Sequence, residues 1–155
     1  MKKLLRYGRV VPIDALVYRM TRIAAPDLAD LPYEVSQTPG SQKTGFTIYD
    51  QGKFVHQSFL YDRVRLLKLL GKRGPAIGNC VTDAAYRGQS IYPKMIRRIA
   101  TEQLRKGKSE VFIIVNADNA ASIRGIEKAG FELYAAVKAS RFLLFYFDKQ
   151  IKRFT

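Results

Sequence analysis

The stretch from residue 76 to residue 92 reads AIGNCVTDAAYRGQSIY, and the fold can be worked out from it. Residues 76–82 have the composition of a strand, whereas residues 89–106 place apolar side chains near one face of a helix. The loop between them contains Arg87 and Gly88 and leads directly into that helix. We therefore predict a strand, a short loop and a helix in immediate succession.

The loop has the features of a diphosphate-binding turn. The first N–H groups of a helix have no partner within the helix, and the helix dipole adds partial positive charge at that end. Gly88 would let the main chain approach a ligand closely, and Arg87 would add a fixed cation. Many strand-to-helix turns contain Arg-Gly without binding a ligand, so an ordinary turn is the alternative interpretation.

The flanking sequence predicts a mixed α/β sheet. Pro93 falls in the first turn of the helix, where its missing N–H costs little, and Gly107 is suited to end the helix. The continuous apolar run at residues 111–115 is typical of a central strand that is covered on both faces. Beyond it we expect a helix over residues 117–128 and two strands, residues 131–137 and 141–147, joined by residues 138–140.

The N-terminal half contains fewer clear elements. Residues 50–53 join two β-prone runs, residues 45–49 and 54–60, which we expect to form a hairpin. Residues 14–21 are a candidate strand. Residues 25–32 contain two prolines and are expected to form a loop or a short helix.

The segment at residues 64–70 interleaves leucines with cations, which predicts a short amphipathic helix. We expect this helix to pack on the core. Contact with a membrane surface is the alternative, and it makes peripheral membrane contact possible.

A second polar segment follows the apolar strand. Asn116 comes where that strand ends, and Asn119 and Ser122 lie one turn apart on the same face of the expected helix. That face could form hydrogen bonds with an amide-bearing chain in a cleft. In the alternative interpretation Asp118 or Asn119 caps the helix and Gly130 ends it, and both interpretations can hold together.

The two polar segments together resemble those of the GNAT family of N-acetyltransferases. The resemblance covers about residues 76–147 and implies one GNAT-like acyltransferase domain over residues 1–155. The implied fold is α/β, with a mixed, mostly antiparallel central sheet of six to seven strands, helices on both faces and a splayed strand at the CoA cleft. The matching residues are Tyr86-Arg87-Gly88-Gln89, then Asn116, Asn119 and Ser122, then Glu127-Lys128 and Gly130-Phe131.

The resemblance implies transfer of an acyl group, most simply acetyl, from acetyl-CoA to a primary amine by direct attack in a ternary complex. Acetyl-CoA would be a co-substrate, and no metal is implied. The strand that ends at Thr82 would hold the pantetheine arm through its main chain. The residues implied in acetyl-CoA binding are Cys80, Val81, Thr82, Arg87, Gly88, Gln89, Ser90, Ile91, Tyr92, Asn116, Asn119 and Ser122.

Departures from the family pattern affect the expected chemistry. Ser90 and Tyr92 stand where the loop pattern has small residues, which keeps the N–H donors but narrows the approach of a ligand. Ile126 stands where many members carry a tyrosine that protonates the leaving thiolate. Tyr86, Tyr92 and Tyr134 are the candidates to replace that acid, and the sequence does not rank them.

The catalytic candidates are His56, Asp83 and Tyr92. Histidine has an ordinary pKa of about 6.5, which suits a general base, although a lone histidine on a strand is more often structural. Asp83 follows the strand beside the loop, where a solvated acid is the alternative interpretation. Asn79 could orient a water, and Cys80 is expected to be a small core residue rather than a nucleophile.

Composition narrows the class of protein. The chain has 155 residues, of which 47% are hydrophobic, as in a globular protein. One cysteine and one histidine exclude a disulfide scaffold and a His/Cys zinc cluster. No apolar run approaches the ~20 residues needed to cross a bilayer, and Arg6 and Arg9 interrupt the start before any signal-length apolar stretch. We therefore expect a cytoplasmic protein that is a monomer or homodimer.

Positive charge dominates the sequence, with 27 Lys and Arg against 13 Asp and Glu and a formal net charge of +14 that is spread evenly along the chain. This balance favours attraction to polyanions, namely nucleic acid, an anionic membrane face or a phosphorylated small molecule, whereas a basic surface that only aids solubility is the alternative. For an acyltransferase it favours a small anionic amine as acceptor, such as an amino sugar or glycan precursor. The Arg-Gly-x-x-Ile-Tyr-Pro form of the loop is similar to that of bacterial surface-polysaccharide acyltransferases. Two alternatives are a catalytically degenerate CoA-binding module and a basic nucleic-acid-binding domain. The even spread of positive charge along the chain and the lack of a recognisable nucleic-acid-binding motif argue against the nucleic-acid-binding domain.

Overall fold

Eight strands form one sheet in the computed structural model, which describes residues 8–23 and 28–154. Two α-helices, α1 (Ile91–Arg105) and α2 (Ala120–Lys128), and two 3₁₀-helices, Arg65–Leu70 and Ala84–Tyr86, accompany the sheet. The strands are β1 (Val11–Met20), β2 (Ser36–Pro39), β3 (Lys43–Asp50), β4 (Lys53–Tyr61), β5 (Ala76–Thr82), β6 (Val111–Asn116), β7 (Glu132–Phe142) and β8 (Phe145–Arg153).

The strands lie in the spatial order β2-β3-β4-β5-β6-β1-β7-β8. Only the β5–β6 pair is parallel among the described strands, so the predicted mixed, mostly antiparallel sheet is confirmed. The sheet has eight strands rather than six to seven. The additional strand is β2, whose four residues are all exposed at the edge of the sheet and lack the apolar alternation that would predict a strand.

The core lies on both faces of the sheet. On one face, α1 and α2 pack apolar side chains such as Met95, Ile99 and Ile126 against Ile113 of β6. On the other face, Phe112 of β6 packs against the 3₁₀-helix Arg65–Leu70. The prediction that residues 111–115 form a strand covered on both faces is therefore confirmed.

The 3₁₀-helix Arg65–Leu70 buries Leu66, Leu67 and Leu70 against the sheet. The expected packing on the core is confirmed. Because Leu66, Leu67 and Leu70 are buried, these three side chains are not available for the membrane contact considered for this segment.

The last two strands differ from the prediction. Residues 138–140 were expected to be a connection, but Lys138, Ala139 and Ser140 lie within β7 and pair with β1. The chain instead reverses at Leu143 and Leu144, between Phe142 and Phe145. Sequence reasoning placed these leucines in a strand because apolar side chains are uncommon in turns.

The two α-helices begin later in the chain than the sequence predicts. α1 begins at Ile91 rather than residue 89 because Ser90 has a left-handed conformation, with φ of 59°. α2 begins at Ala120 rather than residue 117 because Asn119 caps it. Of residues 25–32, those at 25–27 lie outside the described residues and those at 28–32 have no helix, and Arg6 also lies outside them. Among the described residues, neither α-helix is long and apolar enough to cross a membrane.

Candidate active site

A cleft opens where β5 and β6 separate. The two strands pair only at Ala76 with Phe112 and at Ile77 with Ile113. Beyond this point they diverge and enclose a cleft of about 720 Å³. The splayed strand predicted for the sheet is therefore present, and among the described strands the main chain of residues 78–82 has no partner on its β6 side.

A β-bulge in β5 accompanies the separation. Gly78 pairs with Phe59 and Val81 with Gln57, so Asn79 and Cys80 together oppose one residue of β4. Asn79 has a left-handed conformation with φ of 49°, which asparagine tolerates better than most residues. Because bulges bend a strand and increase its twist, the bulge turns the end of β5 away from β6. The Asn79 side-chain amide also donates a hydrogen bond to the Tyr61 hydroxyl.

The loop at the open end of the cleft presents main-chain donors. Gly88 has φ of 79°, a conformation that favours glycine, and a Cβ there would meet no other atom. In the described chain, no main-chain hydrogen bond uses the N–H groups of residues 88–92, and the first to be used is that of Lys94, which donates to the Ser90 carbonyl at 3.2 Å. Arg87 lines the cleft beside these donors. The loop can therefore accept an anion.

Two residues of the Glu-Lys motif hold α2 in place. The Lys128 Nζ donates to Ser90 Oγ at 2.5 Å and so joins the end of α2 to the loop. Glu127 accepts a hydrogen bond of 2.8 Å from the Tyr18 hydroxyl of β1. Burial and the Glu127 carboxylate raise the pKa of Tyr18 to about 12. The motif thus fixes the position of α2 and brings a cation to the start of α1.

The opposite wall of the cleft comes from β6 and α2. Asn116, Asn119 and Ser122 all line it. The Asn119 Oδ1 accepts the Ser122 N–H at 3.2 Å, so Asn119, not Asp118, is the N-cap of α2. The Asn119 amide nitrogen and the Ser122 hydroxyl have no partner among the described residues. The same segment therefore caps the helix and offers polar groups to the cleft.

His56 lies behind the cleft wall and is fully buried. Its Nδ1 lies 2.7 Å from the Thr82 Oγ1, and its Nε2 lies 2.6 Å from the Ser58 Oγ. Burial lowers the pKa of His56 to about 4, so the imidazole is neutral at pH 7. Thr82 lines the cleft and stands between His56 and anything bound there.

Tyr92 is the tyrosine of the three candidates that lines the cleft. A Cβ on Gly125 would lie 2.7 Å from its Cδ1, so α2 holds the ring closely. Burial, with a smaller contribution from Cys80, raises the pKa of the phenol above its ordinary value. Its hydroxyl has no partner among the described residues and is not sealed in the core. It can therefore donate a hydrogen bond to a ligand in the cleft.

The other two tyrosines have other partners. The Tyr86 hydroxyl donates to Asp50 at 3.2 Å. The Tyr134 ring packs against Phe112, 6.1 Å between centroids, on the opposite face of the sheet. Ile126, which stands in place of the family tyrosine, is fully buried in the core.

Asp83 and Cys80 have local roles. The Asp83 carboxylate accepts the Ala85 N–H at 3.0 Å and caps the 3₁₀-helix Ala84–Tyr86. Burial raises the pKa of the Cys80 thiol to about 11, an effect that its hydrogen bond with Ser58 partly offsets. Cys80 is therefore a neutral thiol in the cleft wall at pH 7, which does not suit a nucleophile.

The structure brings most of the predicted binding residues together. Gly88, Gln89, Ser90 and Ile91 form the loop and helix start, whereas His56 and Asp83 do not line the cleft. Sequence reasoning missed Ser58, although it follows His56 by two residues on the same face of a predicted strand. It also missed the apolar walls, which had been assigned only to the core. The predicted residues that line the cleft are Cys80, Val81, Thr82, Arg87, Tyr92, Asn116, Asn119 and Ser122.

Solved structures share the overall fold of this chain. No protein-family profile matches the chain, and no curated protein sequence matches it. A protein from Novosphingobium aromaticivorans assigned to the GNAT acetyltransferases superposes with a TM-score of 0.59 and 14% identity over 95% of this chain. A GNAT-family acetyltransferase from Colwellia psychrerythraea superposes with a TM-score of 0.56 and 16% identity over 83% of this chain.

The match spans 66% of the Novosphingobium chain and 56% of the Colwellia chain, so both proteins are longer than the region they share with this one. The superpositions show that the fold is shared. At identities this low they do not show the activity, which has to be argued from the residues of the site. The chain has the fold of the GNAT acetyltransferases.

Proposed function

We propose that the protein is an acyl-CoA-dependent N-acyltransferase that transfers the acetyl group of acetyl-CoA to a primary amine. The observation that carries the proposal is the separation of β5 from β6 after Ile77 and Ile113, next to residues 88–92, whose N–H groups donate no main-chain hydrogen bond within the described chain. Other GNAT acetyltransferases have the same overall fold, which supports the assignment of reaction type.

The residues in the cleft fit acetyl-CoA. The diphosphate would accept hydrogen bonds from the N–H groups of residues 88–92, where Arg87 and Lys128 add positive charge. The pantetheine arm carries amides and would lie between β5 and β6. There it could pair with the main chain of residues 78–82 and with Asn119 and Ser122 on the opposite wall.

The transfer needs a neutral amine and stabilisation of two developing charges. The amine nitrogen attacks the thioester carbonyl carbon, and the carbonyl oxygen gains negative charge that main-chain N–H groups of β5 would stabilise. The tetrahedral intermediate then expels CoA as a thiolate as the C–S bond breaks. One proton leaves the amine nitrogen, and one proton must reach the sulfur.

Tyr92 is the proposed proton donor to the thiolate. It lines the cleft, its phenol stays protonated at pH 7, and its hydroxyl has no other partner among the described residues. The proposed proton donor therefore lies on α1, whereas the family pattern would place a tyrosine with this role at residue 126 on α2. The phenol recovers its proton from solvent at the end of each cycle.

Water is the proposed acceptor of the amine's proton. His56 is too buried to touch the amine and is too weak a base, because its pKa is lowered to about 4. Its hydrogen bond to Thr82 gives it a positioning role in the cleft wall. Asp83 is committed to capping the loop. The strong positive charge favours an acceptor that carries phosphate or carboxylate, such as a nucleotide-linked amino sugar.

A CoA-binding module without transferase activity is the second candidate. The observation that favours it is Ile126, which is buried and apolar where many family members carry the acid. The two candidates differ in turnover and not in CoA binding.

An acceptor screen with acetyl-CoA and detection of released thiol tests the proposal. Amines that carry phosphate or carboxylate groups, including nucleotide-linked amino sugars, should release CoA in amounts equal to the acetylated product. Binding of acetyl-CoA without release across a broad panel would support the binding module. Failure to bind acetyl-CoA would contradict both candidates.

A further inference from the structure

The tip of the β7–β8 hairpin carries exposed apolar side chains. Two of them, Leu144 at 61% and Phe145 at 70%, are more exposed than any other large apolar residue in the described chain. Val10, also exposed, lies nearby because its neighbour Val11 pairs with Arg141. The apolar side chains of the tip itself are Phe142, Leu143, Leu144, Phe145 and Phe147. Contiguous exposed apolar patches of this kind mark interaction sites.

The two residues of the turn at the tip, Leu143 and Leu144, are of a type that is unfavourable in a tight turn. Phe142 pairs with Phe145, which leaves Leu143 and Leu144 as a two-residue connection. Such turns favour Asn-Gly or Asp-Gly, because a left-handed conformation costs an L-residue roughly 1–2 kcal/mol. Leu143 nonetheless has φ of 53°. Both the conformation and the exposure of these leucines work against folding, so stability does not explain them.

Positive charge flanks the apolar tip. Residues 138–149 contain three Lys or Arg and one acid, Asp148, which gives a local charge of three minus one, or +2. The three cations are Lys138, Arg141 and Lys149, and none of them forms a salt bridge with another described residue. Lys152 and Arg153 lie further from the tip, where β8 pairs with Ala136 and Ala135. A second copy of the hairpin would bring the same positive charge against it, whereas an anionic bilayer attracts cations and also accepts apolar side chains.

We propose that the β7–β8 hairpin docks the protein on anionic phospholipid bilayers. Residues 142–145 enter the interface between head groups and acyl chains, and the flanking cations contact lipid phosphates. Phenylalanine and leucine beside Lys and Arg are the residue types that interfacial binding uses.

The hairpin projects from the end of the sheet at which the cleft opens. Asn116 at the end of β6 pairs with Ala15, and Arg141 pairs with Val11, four residues further along β1. At ~3.3 Å per residue, Arg141 lies roughly 13 Å beyond the end of β6, and the tip at Leu143 and Leu144 lies further out. A bilayer held by the tip would therefore face the end of the sheet where β5 and β6 separate. The docking does not depend on the proposed acetyltransferase activity.

A single tryptophan can test the insertion because the chain contains none. Leu144→Trp places the probe at the tip. Ile23→Trp places a control at an exposed residue just beyond the end of β1 where Met20 pairs with Val111, which is the opposite end of the sheet. With vesicles of equal parts phosphatidylcholine and phosphatidylglycerol, the Leu144→Trp emission should shift to the blue and be quenched by brominated acyl chains. The Ile23→Trp emission should not change, and pure phosphatidylcholine should have little effect on either.

A charged variant provides the second test. Leu144→Asp combined with Phe145→Asp changes two exposed residues, and its thermal unfolding should match that of the parent. It should sediment with the anionic vesicles about tenfold less. The reason is that the tip loses the apolar area that it would bury in the bilayer and gains two negative charges. Its stabilisation by acetyl-CoA should be unchanged, which separates this proposal from the proposed function.

Three outcomes would overturn the docking. Unchanged sedimentation of the charged variant, without a blue shift of Leu144→Trp, would show that charge alone adsorbs the protein. No binding to anionic vesicles would reject membrane docking outright. A homodimer of the parent that the charged variant loses, without vesicle binding, would assign the tip to contact between copies.

Discussion

Ile77 and Ile113 form the last paired position between β5 and β6, and beyond them the two strands part. The bulge at Asn79 and Cys80 turns β5 away at the next residues, so the cleft is a property of the sheet and not of a mobile loop. The loop supplies the Arg87 cation and β5 supplies main-chain donors to this cleft. Asn119 and Ser122, at the start of α2, supply polar side chains to the same cleft.

Arg87→Ala should weaken acetyl-CoA binding about tenfold, because one charged contact to the diphosphate is lost. Isothermal titration calorimetry measures the affinity. Arg73→Ala removes an arginine that lines a different surface, outside the cleft, and should leave the affinity unchanged. Equal losses in the two variants would indicate that only net charge matters.

Tyr92→Phe should lower kcat by about 100-fold while the KM for acetyl-CoA changes little, because the hydroxyl acts on the leaving sulfur. Steady-state kinetics with the best acceptor measure both constants. Tyr86→Phe is the matched control, since the Tyr86 hydroxyl is bonded to Asp50 outside the cleft, and its kcat should match that of the parent. A Tyr92→Phe enzyme of full activity would refute the assigned role.

Stability should fall as the pH drops below 6.5, because His56 cannot bind a proton in the folded chain until the pH approaches 4. The unfolded chain binds that proton at its ordinary pKa of about 6.5, so protonation favours unfolding between the two values. Between pH 7 and pH 4.5 the loss should be about 2–3 kcal/mol, measured by urea unfolding.

The single histidine makes this pH effect assignable. In His56→Gln the titrating group is absent, and the free energy of unfolding should be nearly flat from pH 7 to pH 5.5. The same slope in both proteins would place the effect on carboxylates instead.

Ser90→Gly should be more stable than Ser90→Ala by about 1 kcal/mol. Both variants lose the hydrogen bond from Lys128, so they differ in the cost of the left-handed conformation at residue 90. Thermal unfolding of the pair, compared at one pH, gives the difference. Equal stability would mean that the loop does not hold residue 90 in that conformation.

Much of the fold could be predicted because its central elements have clear local sequence patterns. The apolar run of β6 and the strand–loop–helix around Arg87 are local patterns, and both lie where expected. β2 could not be found, since its four exposed residues pair through the main chain alone. The turn at Leu143 could not be found either, because its residues contradict turn chemistry.

The site was predictable where it depends on sequence-local features and not where it depends on packing. Asn119 and Ser122 lie one turn apart in any helix, so their shared face followed from spacing. The burial of His56 between Ser58 and Thr82 depends on the pairing of β4 with β5, which spacing does not reveal. The same holds for the bulge at Asn79, which only the register of the two strands shows.

Amide hydrogen exchange with and without saturating acetyl-CoA tests the central claim most directly. Exchange should be slower at residues 78–82 and 88–92 when acetyl-CoA is bound, because both segments would donate N–H groups to it. Residues 43–50 of β3 lie away from the cleft and should exchange as before. Unchanged exchange in the first two segments at saturating acetyl-CoA would contradict the assignment of this cleft.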